Sequence, residues 1–204
     1  MQENEDQFLK ILFTRVKDGK QFQEFLHAIN DKGKVKRKQW TNILTEVVVG
    51  SCNSVGWNCT AKNHERDLLP FARARKEQSE YLTLDVVALR DSESAWSFPV
   101  LVAELETKQD SLRIFYDLWK ISCIHARNKY LFCIQKNNAD IDLLIKKINA
   151  EFLPSLHKTS FNTIHGDTFI IIGNLSKRGD LPHDFFECWK LDEKANKFVR
   201  IMVR

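Results

Sequence analysis

At 204 residues the chain is long enough to bury one sizeable core, and 43% hydrophobic with 28% charged residues is ordinary for a globular protein. The net charge of +4 admits nucleic acid as a partner without demanding it. No run of about 18 apolar residues exists, so no membrane span is expected; the opening MQENEDQFLK is too acidic for a secretory signal. Five irregularly spaced cysteines suit a reducing cytoplasm better than a disulfide framework.

In chain order, residues 6–16 carry Phe8, Leu9, Leu12, Phe13 and Val16 at helical spacing, and Asp18-Gly19 ends the pattern. Phe22, Phe25, Leu26 and Ile29 predict a second helix, and the two form an N-terminal helical hairpin. The run KGKVKRK over 32–38 reads as a solvated connection or as a phosphate contact through Lys36, Arg37 and Lys38. Residues 40–49 predict a helix with Ile43, Leu44, Val47 and Val48 inward. Residues 50–63, rich in Gly, Ser, Asn and Cys, read as a loop or a short irregular strand. Cys52, Cys59 and His64 match no usual zinc spacing. Residues 71–80 mix charges, and Arg73, Arg75 and Lys76 are further candidates for phosphate.

Residues 81–108 read YLTLDVVAL, RDSESAWSF and PVLVAELETK: two apolar runs around a polar connection, hence a β-hairpin. Carboxylates interrupt it at Asp85, Glu104 and Glu106, where burial is costly without a cation. Alternation puts Glu104, Glu106 and Lys108 on one face. A connection centred on Ser94 sets Asp85 opposite Glu104, give or take one residue, and directly opposed side chains have Cβ atoms about 4.5–5.5 Å apart. That spacing suits a hard divalent ion, Mg2+ or Mn2+, held by Asp85 and Glu104 with the Leu105 carbonyl in reach.

After the hairpin, Asp110-Ser111 starts a helix whose apolar stripe is Leu112, Phe115, Leu118, Trp119 and Ile121 or Ser122, with Lys120 off the stripe. YLFCI at 130–134 reads as a central strand covered on both faces. Cys123 and Cys133 read as core. Residues 141–152 form another amphipathic helix, stopped at Leu153-Pro154; TFIIIG at 168–173 extends the sheet, and residues 185–204 close it with a hairpin. No repeat is present. One domain is expected, with residues 1–50 as a helical region packed on or extending an α/β core over 51–204.

Asp85 on one strand, Glu104 and Glu106 ending the next, then an amphipathic helix and an apolar strand, resemble the PD-(D/E)xK nuclease superfamily over about the middle third of the chain. The resemblance implies a restriction-endonuclease-like mixed sheet flanked by helices, here with an N-terminal helical extension. It implies Mg-dependent hydrolysis of nucleic acid, double-stranded DNA first, by a monomer or a homodimer. Glu106 stands where the family usually has Lys, so Lys108 or Lys120 is the candidate for the missing positive charge. An acid from the helix before the sheet is also implied; Glu46 is the candidate, with Glu77 or Glu80 as substitutes. Two other readings stand beside the nuclease: a nucleic-acid-binding protein that keeps the fold without cutting, and a protein-interaction domain.

Overall fold

The computed structural model describes residues 3–18, 20, 26, 37–62, 64, 83–90, 98–156, 166–177 and 182–203. Among them, seven strands form one mixed sheet in sequence order, with helices on both faces. The strands are β1 (Trp57–Ala61), β2 (Val86–Arg90), β3 (Leu101–Leu105), β4 (Asn128–Gln135), β5 (Asp167–Asn174), β6 (Phe186–Asp192) and β7 (Lys197–Ile201). Strands β3, β4 and β5 run parallel, and the pairs outside them are antiparallel. The protein is therefore of the mixed α/β class. Strands buried on both faces need continuous apolar runs, which YLFCI and TFIII supply.

Alternation along the strands sorts the core into two layers. Ala103, Tyr130, Phe132, Phe169 and Ile171 face helices α1 (Glu3–Asp18) and α2 (Arg37–Ser54). Phe8 of α1 lies against both Tyr130 and Trp57, with ring centroids 5.1 and 5.6 Å apart, and Tyr130 stacks on Phe169 at 4.9 Å. Val87, Val102, Leu131, Cys133, Ile170 and Ile172 face the other way, against α3 (Ser111–Ser122) and α4 (Asn138–Lys147). Helix α3 is capped by Asp110, whose side chain accepts the Leu112 N–H, and α4 by Asn137, which accepts from Asp140.

Several expectations change. Helix α2 runs on to Ser54 through a stretch whose composition suggested a loop. The hydroxyls of Ser51 and Ser54 donate to the carbonyls of Val47 and Gly50, four residues back, so residues that favour turns are satisfied inside the helix. Strand β1 follows at once. Pro154 does not end the helix after α4. The chain widens into a π-helical turn (Ile148–Phe152), where the Leu153 N–H reaches the Ile148 carbonyl, and a last α-turn, α5 (Leu153–Leu156), contains the proline. Helix α3 buries Ile114, Leu118 and Ile121, so Leu112 and Trp119 lie outside the core. Cys123, just past α3, is exposed, whereas Cys133 is fully buried. Of the second N-terminal helix only Leu26 falls among the described residues, and it is buried; Phe22, Phe25 and Ile29 lie outside them.

Candidate active site

The hairpin's register follows from where its polar connection is centred. Val86 pairs with Ala103, Val87 with Val102 and Ala88 with Leu101. One further step sets Asp85, just ahead of β2, opposite Glu104. The Asp85 carboxylate accepts the Leu105 N–H at 2.8 Å, so this acid is fixed against the end of β3. In an extended strand a residue's N–H and C=O point to the same side, which turns the Leu105 carbonyl toward Asp85. Residues 91–97, the tip of the hairpin, lie outside the described residues.

Glu104 shares its face with Val102, toward α3, and is 4% exposed. There Lys120 meets it: Nζ stands 2.7 Å from Glu104 Oε1 and donates to the Thr83 carbonyl at 2.7 Å. This ammonium pairs with an oxygen that finds no well-aligned hydrogen-bond donor among the described residues. Glu106, one residue past β3, accepts the Lys108 N–H and meets Asp117 of α3 side chain to side chain. Asp117 was not foreseen from the sequence. An Asp on the wet side of an amphipathic helix looks like ordinary solvation; its clue is that it lies three residues before Lys120, hence on the same flank.

The charges do not balance. Three carboxyl groups, those of Glu104, Asp117 and Asp85, act on one ammonium, and a fourth, Glu106, stands against Asp117. Burial, then the Asp85 charge, pushes the Glu104 carboxyl up to about 8 against the pull of Lys120. Burial, then Glu106, pushes Asp117 up to about 6. Burial alone would lower Lys120, but its bond to Glu104 and the surrounding acids outweigh this and raise it, so it stays charged.

The other predicted residues are placed as follows. Lys108 contributes its backbone N–H to Glu106, and among the described residues its side chain makes no ion pair with the cluster. Glu46 is exposed on α2, which packs on the opposite face of the sheet, so it does not join Asp85 and Glu104. Arg37 opens α2 and Lys38 is exposed on it. Lys36, Arg73, Arg75, Lys76, Glu77 and Glu80 lie outside the described residues. Cys52 and Cys59 are buried neighbours in the core, and burial raises the Cys52 thiol.

Among the described residues, no three His, Cys, Asp or Glu side chains stand as a ready set of metal ligands. Magnesium asks for fewer: it usually takes one or two protein carboxylates and keeps water for the rest. Asp85 and Glu104 form such a pair, and the buried Glu104 Oε1 is directed at a cation already, the ammonium of Lys120. The donor set therefore fits a hard divalent ion. Among the described residues no helix is long and apolar enough to cross a membrane. No protein-family model, curated protein or solved structure matches the chain.

Proposed function

We propose that the protein is a metal-dependent nuclease of the restriction-endonuclease-like type, hydrolysing phosphodiester bonds at the acidic end of β3. The observation that carries this is the meeting of Asp85, Glu104 and Lys120 on one face, with more carboxyls than the lysine can neutralise. The element order supports it: antiparallel β1–β2–β3, then helix α3, then β4 parallel to β3.

Asp85 and Glu104 would hold Mg2+ or Mn2+, which supplies polarisation of the scissile phosphate and a bound water of lowered pKa. Asp85 is pre-aimed by the Leu105 N–H and needs little reorganisation. Lys120 offers its ammonium to the charge that grows on the phosphate oxygens as phosphorus becomes five-coordinate. It takes the role that the second position of Glu-x-Lys has elsewhere, and it reaches the site from the helix. Asp117, pushed up to about 6 by burial and then by Glu106, is mostly ionised at neutral pH yet more basic than an ordinary carboxylate, and is poised to accept a proton from an attacking water. A non-cutting nucleic-acid-binding protein is the second reading, favoured by the position of Lys120 Nζ on the very oxygen that would ligate the ion.

The test is incubation with plasmid, duplex and single-stranded DNA in magnesium, manganese or chelator. Cleavage that needs the ion and is lost in both Asp85→Ala and Glu104→Ala is the expected result. Retarded mobility without cleavage in any metal selects the second reading. Neither binding nor cleavage removes both.

A further inference from the structure

Helix α3 carries more exposed apolar surface than its packing requires. Leu112, Tyr116 and Trp119 are 73, 59 and 47% exposed, and the two rings lie 5.8 Å apart. At about 100° per residue the helix divides into three flanks. Ile114, Leu118 and Ile121 face the core. Arg113, Asp117 and Lys120 form the flank toward Glu104. Leu112, Tyr116 and Trp119 form the outer flank, and Tyr116 borders the site directly, one turn before Lys120. On its other side the outer flank ends where Phe115 packs on Phe152, with centroids 5.7 Å apart.

We infer that Tyr116 and Trp119 are a stacking platform for unpaired bases, so that the strand whose phosphate lies at Lys120 is single-stranded or locally melted. This rests on the proposed nuclease reading and names its substrate class. Two features favour a nucleic acid over a protein as the occupant. Exposed Arg113 lies one turn before Tyr116 and Lys120 follows Trp119, so a cation flanks the pair of rings at each end and can meet a backbone phosphate. The surface also borders the proposed phosphate site at Lys120. A strand crossing Lys120 brings its next base over Tyr116 and then Trp119. In a duplex those bases are stacked on one another and present no face to the rings; in a single strand every base does, whatever its identity.

The measurement is stopped-flow anisotropy, in magnesium and before turnover, with three labelled probes: an oligothymidylate, an abasic strand of equal length and a blunt duplex. Wild type is expected to favour oligothymidylate over the other two. Tyr116→Ala and Trp119→Ala should each weaken oligothymidylate binding about tenfold, the scale of one base–aromatic stack, and leave the abasic strand unaffected. Tyr116→Phe and Trp119→Phe should restore most of the loss. Both side chains are exposed, so folding is expected to survive, and circular dichroism checks it. Equal binding of the abasic strand and oligothymidylate overturns the platform while leaving the nuclease intact, as do alanine variants that bind like wild type. A dimer by light scattering that either alanine variant dissolves also overturns it, and assigns the rings to a second copy. Failure of wild type to bind or cut any probe removes the nuclease reading itself.

Discussion

The Lys120 ammonium and the Glu104 carboxylate meet at 2.7 Å, and the same ammonium holds the Thr83 carbonyl, so one side chain ties α3 to β3 and to the chain entering β2. The pair is unequal. Glu104 is pushed up to about 8 from an ordinary value of 4.5, so folding favours its protonated form. A carboxyl whose pKa rises on folding contributes stability that is full below 4.5 and is lost as pH climbs through about 8, because the native state binds the extra proton in between. The metal-free protein should therefore lose stability from pH 5 toward pH 9. Urea unfolding across that range is expected to show the decline in wild type and a flatter profile in Glu104→Gln. Lys120→Met should cost more at pH 9, about 1–3 kcal/mol, than at pH 5, because only an ionised Glu104 is left unpaired. A cost that does not vary with pH would contradict the assignment of the proton to Glu104.

Binding of the proposed metal must then displace protons. At pH 7 Glu104, at about 8, is largely protonated, whereas Asp117, at about 6, is mostly ionised. A divalent ion held by Asp85 and Glu104 requires the ionised form, so affinity should climb with pH up to about 8 and level off above it. Titration calorimetry of Mn2+ in two buffers of different ionisation enthalpy counts the protons released. The expected outcome is release near pH 7 that vanishes in Glu104→Gln together with most of the affinity. Binding without proton release would place the ion elsewhere.

The site was legible where chemistry contradicts the local pattern. Carboxylates at Asp85 and Glu104 break apolar runs, and the polar connection between those runs fixes the register that joins them. Lys120 was readable as a charge beside an apolar stripe. Asp117 was not, because a wet helical Asp breaks no rule. The stripe itself was misread through Leu118, which belongs to two overlapping sets at helical spacing. One set, with Ile114 and Ile121, goes inward; the other, with Leu112, Phe115 and Trp119, lies on or beside the exposed flank. The sequence pattern ends helix α2 too early, because Gly, Ser, Cys and Asn imitate a loop. Its continuation depends on side-chain bonds to the preceding turn and on Arg15, whose guanidinium lies over Gly50 and donates to Ser54 Oγ at 2.8 Å.

A glycine sets where β5 begins. Gly166 has φ +87, and a Cβ added there would stand 2.2 Å from the Ala126 carbonyl oxygen and 2.4 Å from that of Arg127. These are backbone atoms just ahead of β4, and the next residue, Asp167, donates its N–H to the Arg127 carbonyl at 2.8 Å. Alanine would meet both an unfavourable φ and a contact that no rotamer relieves. Gly166→Ala is expected to destabilise by at least about 2 kcal/mol, read from the urea midpoint at unchanged slope. A loss under about 0.5 kcal/mol would mean that the chain passes β4 at a greater distance than this.

At the far edge, β7 pairs with β6 alone among the described residues. Its outward backbone groups at Phe198 are taken by one side chain: Asn149, in the π-helical turn, accepts the Phe198 N–H at 2.8 Å and donates to its carbonyl at 3.4 Å. The wider turn thus presents an amide to the sheet edge and stands in for the missing strand. Unpaired edge groups are a template for joining another chain. Asn149→Ala should cost about 1–2 kcal/mol, the net of two neutral hydrogen bonds to a partly buried backbone. Asn149→Asp keeps the acceptor for the N–H but sets a carboxylate against the carbonyl, so its cost should be at least as large above neutral pH. Hydrogen exchange is the sharper readout. The Phe198 amide should lose protection in Asn149→Ala, while Ile170 and Ile172, deep in the sheet, keep theirs. If Phe198 exchanges alike in both proteins, the edge is held by β6 alone and the amide contact is incidental.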